Sequence, residues 1–198
     1  MMKKNLFLIL FALMCSFPVF SQISWNVKAG FNMSNWSKGS SDTKFDFLCG
    51  IGIEYAFDQT WALQPSLLIS SKGKKQSLST GTMTVNQVYA ELPVMAAARL
   101  RVSDNVNIVL SAGPYFAYGI GGKTSWSDIY DDENTFENDG LSDVMDLDKF
   151  DAGIGSGVAL EISRFIISIG GEWGLTNLGS INYSPKNENY TLSVGYKF

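Results

Sequence analysis

The chain has no histidine, and this absence limits the chemistry that its other residues can perform. Histidine is the commonest general base and the usual zinc ligand, so its loss excludes Ser-His-Asp, Cys-His and His-bearing zinc sites. No pair of serine and aspartate stands at a distinctive spacing, and no motif for a cofactor or metal is present. The sequence therefore predicts a protein that is not an enzyme, with no catalytic residues, no cofactor and no metal site.

Charged residues do recur inside segments in which apolar and polar residues alternate. Because alternation places them all on the polar face, we expect one shared cluster of Lys28, Glu54, Glu91, Arg99, Glu161, Glu172 and Lys197, joined by Asp151 and Arg101. One interpretation is an ion path or a proton-linked site. The other, which we favour, is a plug of cross-paired charges, since buried charges are costly unless they are paired.

A second group of charges lies in the segment 121–149, which carries nine acidic residues. A divalent cation or a basic partner would suit such a cluster, but the spacing does not match the calcium-binding EF-hand loop. A solvated surface loop is the simpler interpretation. Long loops on a rigid scaffold are where binding functions concentrate, so we name as loop-interaction candidates Asp128, Asp131, Asp132, Glu133, Glu137 and Asp139.

The N-terminus predicts a secretory signal peptide over residues 1–21, followed by one domain over 22–198. Lys3 and Lys4 precede a short apolar run, and Ser21 supplies a small residue before the expected cut. An uncleaved membrane helix and lipidation at Cys15 are the alternatives. Removing the two lysines leaves 13 basic and 19 acidic residues, a net charge of −6 that argues against nucleic acid as a partner. Cys49 then stands alone, so no disulfide within the chain is expected.

Period-two alternation dominates the rest of the chain and predicts eight strands. Several of these runs are 10–13 residues long, longer than ordinary strands. They cover 24–33, 45–57, 61–70, 88–100, 106–120, 150–162, 165–175 and 191–198. Pro65, Pro93 and Pro114 each remove a backbone donor, so we expect bulges or irregular pairing at these positions.

The links between the predicted strands alternate between short and long. Short links join strands two and three, four and five, and six and seven, whereas long links fall at about 34–44, 71–84, 121–149 and 176–188. This order is typical of an all-β, eight-stranded antiparallel up-and-down barrel with tight turns at one rim and loops at the other.

The composition of the two faces indicates which solvent surrounds this barrel. The polar face is rich in glycine, serine and alanine and poor in long charged residues, which suits a crowded lumen better than a soluble surface. Aromatic residues are predicted to form one girdle near the turns and another near the loops, as in a transmembrane β-barrel. A soluble lipocalin-like barrel, with the apolar face inward, is the alternative.

Several segments resemble a known family. They are "WALQPSLLISSKGKK", "VYAELPVMAAARL", "AGPYFAYGIGGK", "FDAGIGSGVALEI" and "GEWGLTNL", of which "QPSLLISSKG" and "ELPV" are the most specific. The chain is similar over about residues 23–198 to the small outer-membrane β-barrel family of Bacteroidetes-type bacteria, which includes the PorT-like barrel of the gliding and secretion machinery. The resemblance implies an outer-membrane location in a Gram-negative cell and no single activity.

The final strand, "TLSVGYKF", alternates up to its last residue. By resemblance, a terminal aromatic residue on such a strand is what the barrel-assembly machinery recognises. We therefore expect Tyr196 and Phe198 to form the assembly signal.

Three functional hypotheses follow from these patterns. We favour a structural or interaction barrel whose long loops bind a protein, a surface polymer or a secretion component. A small pore for ions or solutes is the second, and a soluble binding barrel is the third.

Overall fold

The computed structural model describes residues 23–36, 44–78, 81–128, 136–139, 149–176 and 186–198. The predicted signal peptide lies outside these residues and stays a prediction. No helix within the described ranges is long and apolar enough to cross a membrane.

Nine strands account for almost all of the described chain, and eight of them form the barrel wall. They are β1 (Ile23–Trp36), β2 (Lys44–Ala56), β3 (Trp61–Leu78), β4 (Gly81–Ser103), β5 (Val106–Asp128), β6 (Phe136–Asp139), β7 (Phe150–Ile162), β8 (Phe165–Gly174) and β9 (Asn187–Lys197).

The wall is closed by antiparallel pairing on every side. Its strands follow the order β1–β2–β3–β4–β5–β7–β8–β9, and β9 pairs with β1 from Asn26↔Lys197 to Trp36↔Asn187. The short β6 is not part of the wall, because it pairs with the far end of β5 only, from Lys123↔Asp139 to Trp126↔Phe136. The prediction of an eight-stranded up-and-down barrel is confirmed.

Tight turns at one rim connect the wall strands, as the alternating link lengths predicted. In the β2–β3 turn the backbone amides of Trp61 and Thr60 donate to the Asp58 carboxylate at 2.6 and 2.7 Å. These two bonds hold the pKa of Asp58 below its usual value. The β7–β8 turn bends through Ser163, which has a positive φ of 55°.

The opposite rim differs from the prediction, because two of the expected loops are partly strand. β3 and β4 stay paired from Trp61↔Ala98 to Leu78↔Gly81, and β4 pairs with β5 up to Gly81↔Asp128. The predicted link 71–84 is therefore mostly hairpin, and the first part of 121–149 continues β5. The sequence method missed these extensions because serine, lysine and glycine weaken the apolar alternation there.

The three prolines interrupt pairing without changing the register. At Pro65, for example, the β2–β3 ladder stops after Gly52↔Ser66 and resumes in the same register at Tyr55↔Leu63. The register shifts lie instead between β4 and β5, at Val88/Tyr89 and at Arg101/Ser103. The expectation of bulges at the prolines was therefore wrong, while that of irregular pairing is confirmed.

The two faces of the wall carry opposite chemistry. The outward face exposes large apolar side chains, among them Phe45 at 70%, Phe198 at 67% and Phe31 at 66%. Cys49 lies on this face. The inward face buries polar and charged residues, including Glu54, Lys72, Glu91, Asp151, Glu161 and Asn189. An apolar exterior around a polar interior reverses the arrangement of a soluble barrel, so the lipocalin-like alternative is wrong.

Glycines keep the inward face narrow enough for side chains from opposite walls to meet. A Cβ atom on Gly153 would clash with the Trp173 carbonyl oxygen and lie 2.7 Å from the Tyr115 ring. A Cβ atom on Gly121, by contrast, would meet nothing within 4 Å. Close packing therefore requires a glycine at position 153.

We predict that Gly153→Val destabilises the folded barrel by about 1–3 kcal/mol, because the added atoms overpack the lumen. Gly121→Val is the matched control, and its effect should be much smaller. Urea titration of the refolded barrel, followed by tryptophan fluorescence, measures both values. Equal midpoints for the two variants would contradict this account of Gly153.

Candidate functional site

The charged lumen residues form two layers. The first, which we call the lower cluster, consists of Glu54, Arg99, Glu161 and Lys197 and lies near the turns. Arg99 Nη2 is 2.7 Å from Glu54 Oε2, and Arg99 Nε is 3.0 Å from Glu161 Oε2. Lys197 Nζ lies 2.8 Å from Glu54 Oε1. Two cations and two anions thus neutralise each other across the barrel.

The strand positions explain why these four residues meet. They come from β2, β4, β7 and β9, which are alternate strands of the eight. In each of these strands the residue stands on the inward side of the alternation, so all four side chains point into the lumen at nearly the same height. Gln64 of β3 donates from Nε2 to Glu54 Oε2 at 2.8 Å. The bidentate contact of Arg99 with Glu161 adds directional hydrogen bonds to the charge attraction.

The second layer, the upper cluster, consists of Lys72, Glu91 and Glu172. Lys72 Nζ lies 2.6 Å from Glu91 Oε2 and 2.8 Å from Glu172 Oε2, and the Lys72 side chain is only 1% exposed. β3 and β8 are four steps apart in the ring of eight, so the pair Lys72–Glu172 crosses the whole lumen. Asn189 Nδ2 also donates to Glu172 Oε2, at 3.1 Å.

Lys72 is the central cation of this cluster, and sequence reasoning missed it. The apolar alternation places residue 72 in a long link rather than in a strand. A signal was nevertheless present, because the inward-facing positions of β3 continue at every second residue through Ser66, Leu68, Ser70 and Lys72. Glu91 and Glu172 were predicted to face inward, and their partner is this additional lysine.

Two tyrosines and a third carboxylate surround the upper cluster. The Lys72 ammonium stands 4.8 Å from the centroid of the Tyr115 ring and 5.9 Å from that of Tyr89, within range of cation–π attraction. Tyr115 donates its hydroxyl to Asp151 Oδ2 at 3.1 Å. The Asp151 carboxylate, which is fully buried, also accepts hydrogen bonds from Thr176 and Asn187.

Lys28 faces the lumen but joins neither cluster. Its ammonium group donates to Ser66 Oγ at 3.2 Å and has no carboxylate within 4 Å among the described residues. It borders a cavity of about 140 Å³ that separates the two clusters. The Oδ1 atoms of Asn26 and Asn189, on the cavity wall, lack donors in the described part of the protein. A space of this size and polarity suits ordered water.

The remaining predicted positions are not part of the lumen. Arg101, which we expected to point inward, is exposed and pairs with Asp104 across the β4–β5 turn at 3.0 Å. Arg101 still follows the register of Arg99, since it pairs with Asn107, but it lies next to the β4–β5 turn, where its long side chain reaches solvent instead of the lumen, so the prediction of a lumen position was wrong.

Of the acidic loop candidates, Asp128 ends β5, and Glu137 and Asp139 lie on β6. Asp131, Asp132 and Glu133 lie outside the described residues. Within the described ranges no group of three or more cysteine, aspartate or glutamate residues is placed to hold a metal ion. Whether these acids bind a partner stays a prediction.

Tyr196 and Phe198 lie on the outward face near the turns. Their rings meet edge to face with centroids 5.2 Å apart, and Tyr196 makes the same contact with Phe165 at 5.4 Å. The Phe198 amide donates to the Trp25 carbonyl at 2.8 Å, which ties the end of β9 to β1. Their role as an assembly signal stays a prediction.

A closed antiparallel barrel with an apolar exterior and a charge-paired lumen defines the protein as a transmembrane β-barrel. The sequence profile of the family described as "Outer membrane protein beta-barrel domain" matches residues 16–180. The chain therefore belongs to this family, and it resides in the lipid bilayer of the outer membrane.

The chain is similar to solved outer-membrane proteins at low sequence identity. OprG from Pseudomonas aeruginosa is 10% identical with a TM-score of 0.49, covering 90% of this chain and 97% of its own. Ail of Yersinia pestis, solved with the heparin analogue sucrose octasulfate, is 15% identical with a TM-score of 0.45, covering 90% and 99%. No curated protein sequence matches the chain.

We predict that Arg99→Met destabilises the barrel by about 3–5 kcal/mol, because Glu54 and Glu161 each lose their guanidinium partner inside the lumen. Arg101→Met is the matched control, since its exposed pair with Asp104 contributes about 0–1 kcal/mol. Equilibrium urea unfolding in detergent micelles measures the difference. A loss for Arg99→Met as small as that for Arg101→Met would show that the lower cluster does not stabilise the fold.

Proposed function

We propose that this protein is a non-enzymatic interaction barrel that presents a rigid β-sheet to a partner on the cell surface. This sheet, which we call the arm, comprises residues 71–78 of β3, 81–88 of β4 and 121–128 of β5, together with β6. The partner is a protein, a surface polymer or a secretion component. Insertion through the barrel-assembly machinery, after export by the signal peptide, is part of the same proposal.

The length of the strands is the observation that carries the proposal. β4 and β5 each contain 23 residues, whereas a strand of about 9–11 residues crosses a bilayer. The exposed aromatic ring of Tyr118 lies just below the β4–β5 register shift, where an interfacial girdle is expected. Beyond the register shift, β4 and β5 each continue for eight more residues, which span about 26 Å at the usual rise per residue.

Continuous backbone pairing makes the arm more than a set of loops. β3, β4 and β5 remain in register to Leu78, Gly81 and Asp128, and β6 adds a fourth strand at Lys123–Trp126. A paired sheet costs less entropy to order on binding than a mobile loop of equal length. This favours a binding platform as the role of the extension.

The chemistry of the lumen gives no support to an enzymatic role. The buried carboxylates are committed to cations or to hydrogen-bond donors, and the chain offers no histidine to act as a general base. Charges arranged in mutually satisfied pairs stabilise a structure rather than activate a nucleophile.

The arm is tested by photo-crosslinking in intact cells. A benzoylphenylalanine residue at Ser77 should produce crosslinked adducts, because this position lies on the arm. The same residue at Asn105, on the turn at the other rim, is the matched control and should not produce those adducts. Identical adducts at both sites, or none at Ser77, would overturn the proposal.

Deletion of residues 125–147 provides an independent measurement. The variant should keep the heat-modifiable mobility of a folded barrel but lose recovery of the Ser77 partner. Deletion of 178–184, in the link before β9, controls for loop removal in general. Unchanged recovery after the first deletion would exclude the end of β5 and the following segment from binding.

A small pore is the second candidate function, and the cavity of about 140 Å³ beside Lys28 is the observation that favours it. The two charged clusters oppose it, because Lys72 and Arg99 each span the lumen with paired carboxylates on both sides. We therefore expect wild-type protein to leave planar bilayers silent at moderate voltage. Steady single-channel currents from folded, inserted protein would favour the pore instead.

A further inference from the structure

We propose that the arm is a hinged strap, held across the mouth of the barrel by Lys72, and that engagement of the arm is coupled to opening of the upper lumen. This inference rests on the proposed function, since it concerns how the arm responds to its partner. Three independent features of the structure carry it: a released strand edge, a hinge and a buried ionic latch.

The first feature, the released edge, is the side of β3 that no longer pairs with β2. Pairing between β2 and β3 ends at Leu48↔Ser70, although β3 continues for eight more residues paired with β4. The first four residues of β2, from Lys44 to Phe47, pair with β1 but have no partner on β3. Beyond Ser70, among the described strands, the backbone pairing of the arm therefore continues to the wall through β4 and β5 alone, and its links to β1 and β2 are hydrogen bonds of side chains, such as that from Lys44 Nζ to Asn86 Oδ1 at 3.0 Å.

The hinge lies at the same height on those two strands. The register between them shifts because Tyr89 pairs with Gly119 but Val88 pairs with Gly121, which leaves Ile120 as an extra residue. A β-bulge of this kind bends a sheet locally. Glycines occupy positions 119, 121 and 122. Of these three, Gly121 has open space beside it, since a Cβ atom there would meet nothing within 4 Å, whereas one on Gly122 would lie 2.6 Å from the Asn86 carbonyl oxygen.

The latch holds the root of the strap inside the mouth. The hydroxyl of Ser34 on β1 accepts from the Gly73 amide at 3.0 Å and donates to the Gly73 carbonyl at 3.1 Å. Asn32 donates to the Ser71 carbonyl at 3.0 Å. These bonds join β3 to β1, its neighbour but one, so β3 leans across the end of β2, and Ser71 and Lys72 are buried there.

Lys72 is the ionic part of the latch. It reaches Glu172 on the opposite wall, and its side chain is 1% exposed. Movement of the strap away from the mouth withdraws this ammonium group and leaves Glu91 and Glu172 facing each other without a cation. The closed state is therefore held by the ion pairs of Lys72 together with the hydrogen bonds of Ser34 and Asn32. A partner that binds the displaced arm more tightly shifts the population toward it.

The inference is tested by measuring the position of the arm directly. In a Cys49→Ala background, spin labels are attached at Ser77→Cys on the arm and at Leu175→Cys just after β8. Double electron–electron resonance spectroscopy then measures the distance between the two labels. The wild-type arm should give one distance. Lys72→Met should add a second, longer distance, because the ionic part of the latch is lost and the remaining hydrogen bonds hold the arm only part of the time.

Two further variants keep the result interpretable. Lys72→Met combined with Glu91→Gln and Glu172→Gln removes the uncompensated charges, so this variant should stay folded and still show the longer distance. Lys197→Met removes a lumen cation from the lower cluster and is the matched control, which should keep the wild-type distance. A wild-type distance in both Lys72 variants would overturn the latch, as would an equal shift in Lys197→Met.

The same variants separate this inference from the proposed function. If Lys72→Met lengthens the distance but crosslinking at Ser77 never yields an adduct, the strap stands and the interaction role fails. If adducts form at Ser77 while both Lys72 variants keep the wild-type distance, the interaction role stands and the coupling is wrong.

Discussion

The requirement that every strand hydrogen bond be made inside hydrocarbon governs this structure. An unpaired backbone group in the bilayer core costs several kcal/mol, so a membrane sheet has to close on itself. The β1–β9 seam supplies that closure over eleven residue pairs, from Asn26↔Lys197 to Trp36↔Asn187. Backbone hydrogen bonds across this seam, rather than a disulfide, join the two ends of the sheet, and Cys49 is a free thiol on the outward face. The antiparallel ring and the absence of an open edge in its wall follow from this requirement.

A closed ring of eight strands leaves an interior just wide enough for side chains, and this limit determines the chemistry inside. Arg99 reaches both Glu54 and Glu161, and Lys72 reaches Glu172 on the opposite strand. In a wider barrel these cations would stand in water and pair weakly. The charges are thus a consequence of the diameter: they fill the space that closure creates, and glycines such as Gly153 admit the rings that pack around them.

Period-two alternation was sufficient to predict the wall, because each wall strand has one face in lipid and one in the lumen. It placed Glu54, Glu91, Arg99, Glu161, Glu172 and Lys197 inward, where the structure has them. The same method could not separate two layers of charge, since height in the lumen depends on strand stagger rather than on parity. It also failed for Lys72 and Arg101. Lys72 lies where β3 has left the β2 edge, and Arg101 lies next to the β4–β5 turn, where a long side chain of inward parity reaches solvent.

The arm shows what happens where lipid no longer selects the sequence. Beyond the membrane the outward face has no need of large apolar residues, so the alternation fades in the segment "SSKGKKQSLSTGT" although the strands continue. Backbone pairing persists there because β3 and β4 form a hairpin that is already in register. Extended strands without an apolar face carry no information about membrane crossing. The alternation in the sequence therefore marks the extent of the apolar wall rather than the length of the strands, which is why β3, β4 and β5 run on where the pattern ends.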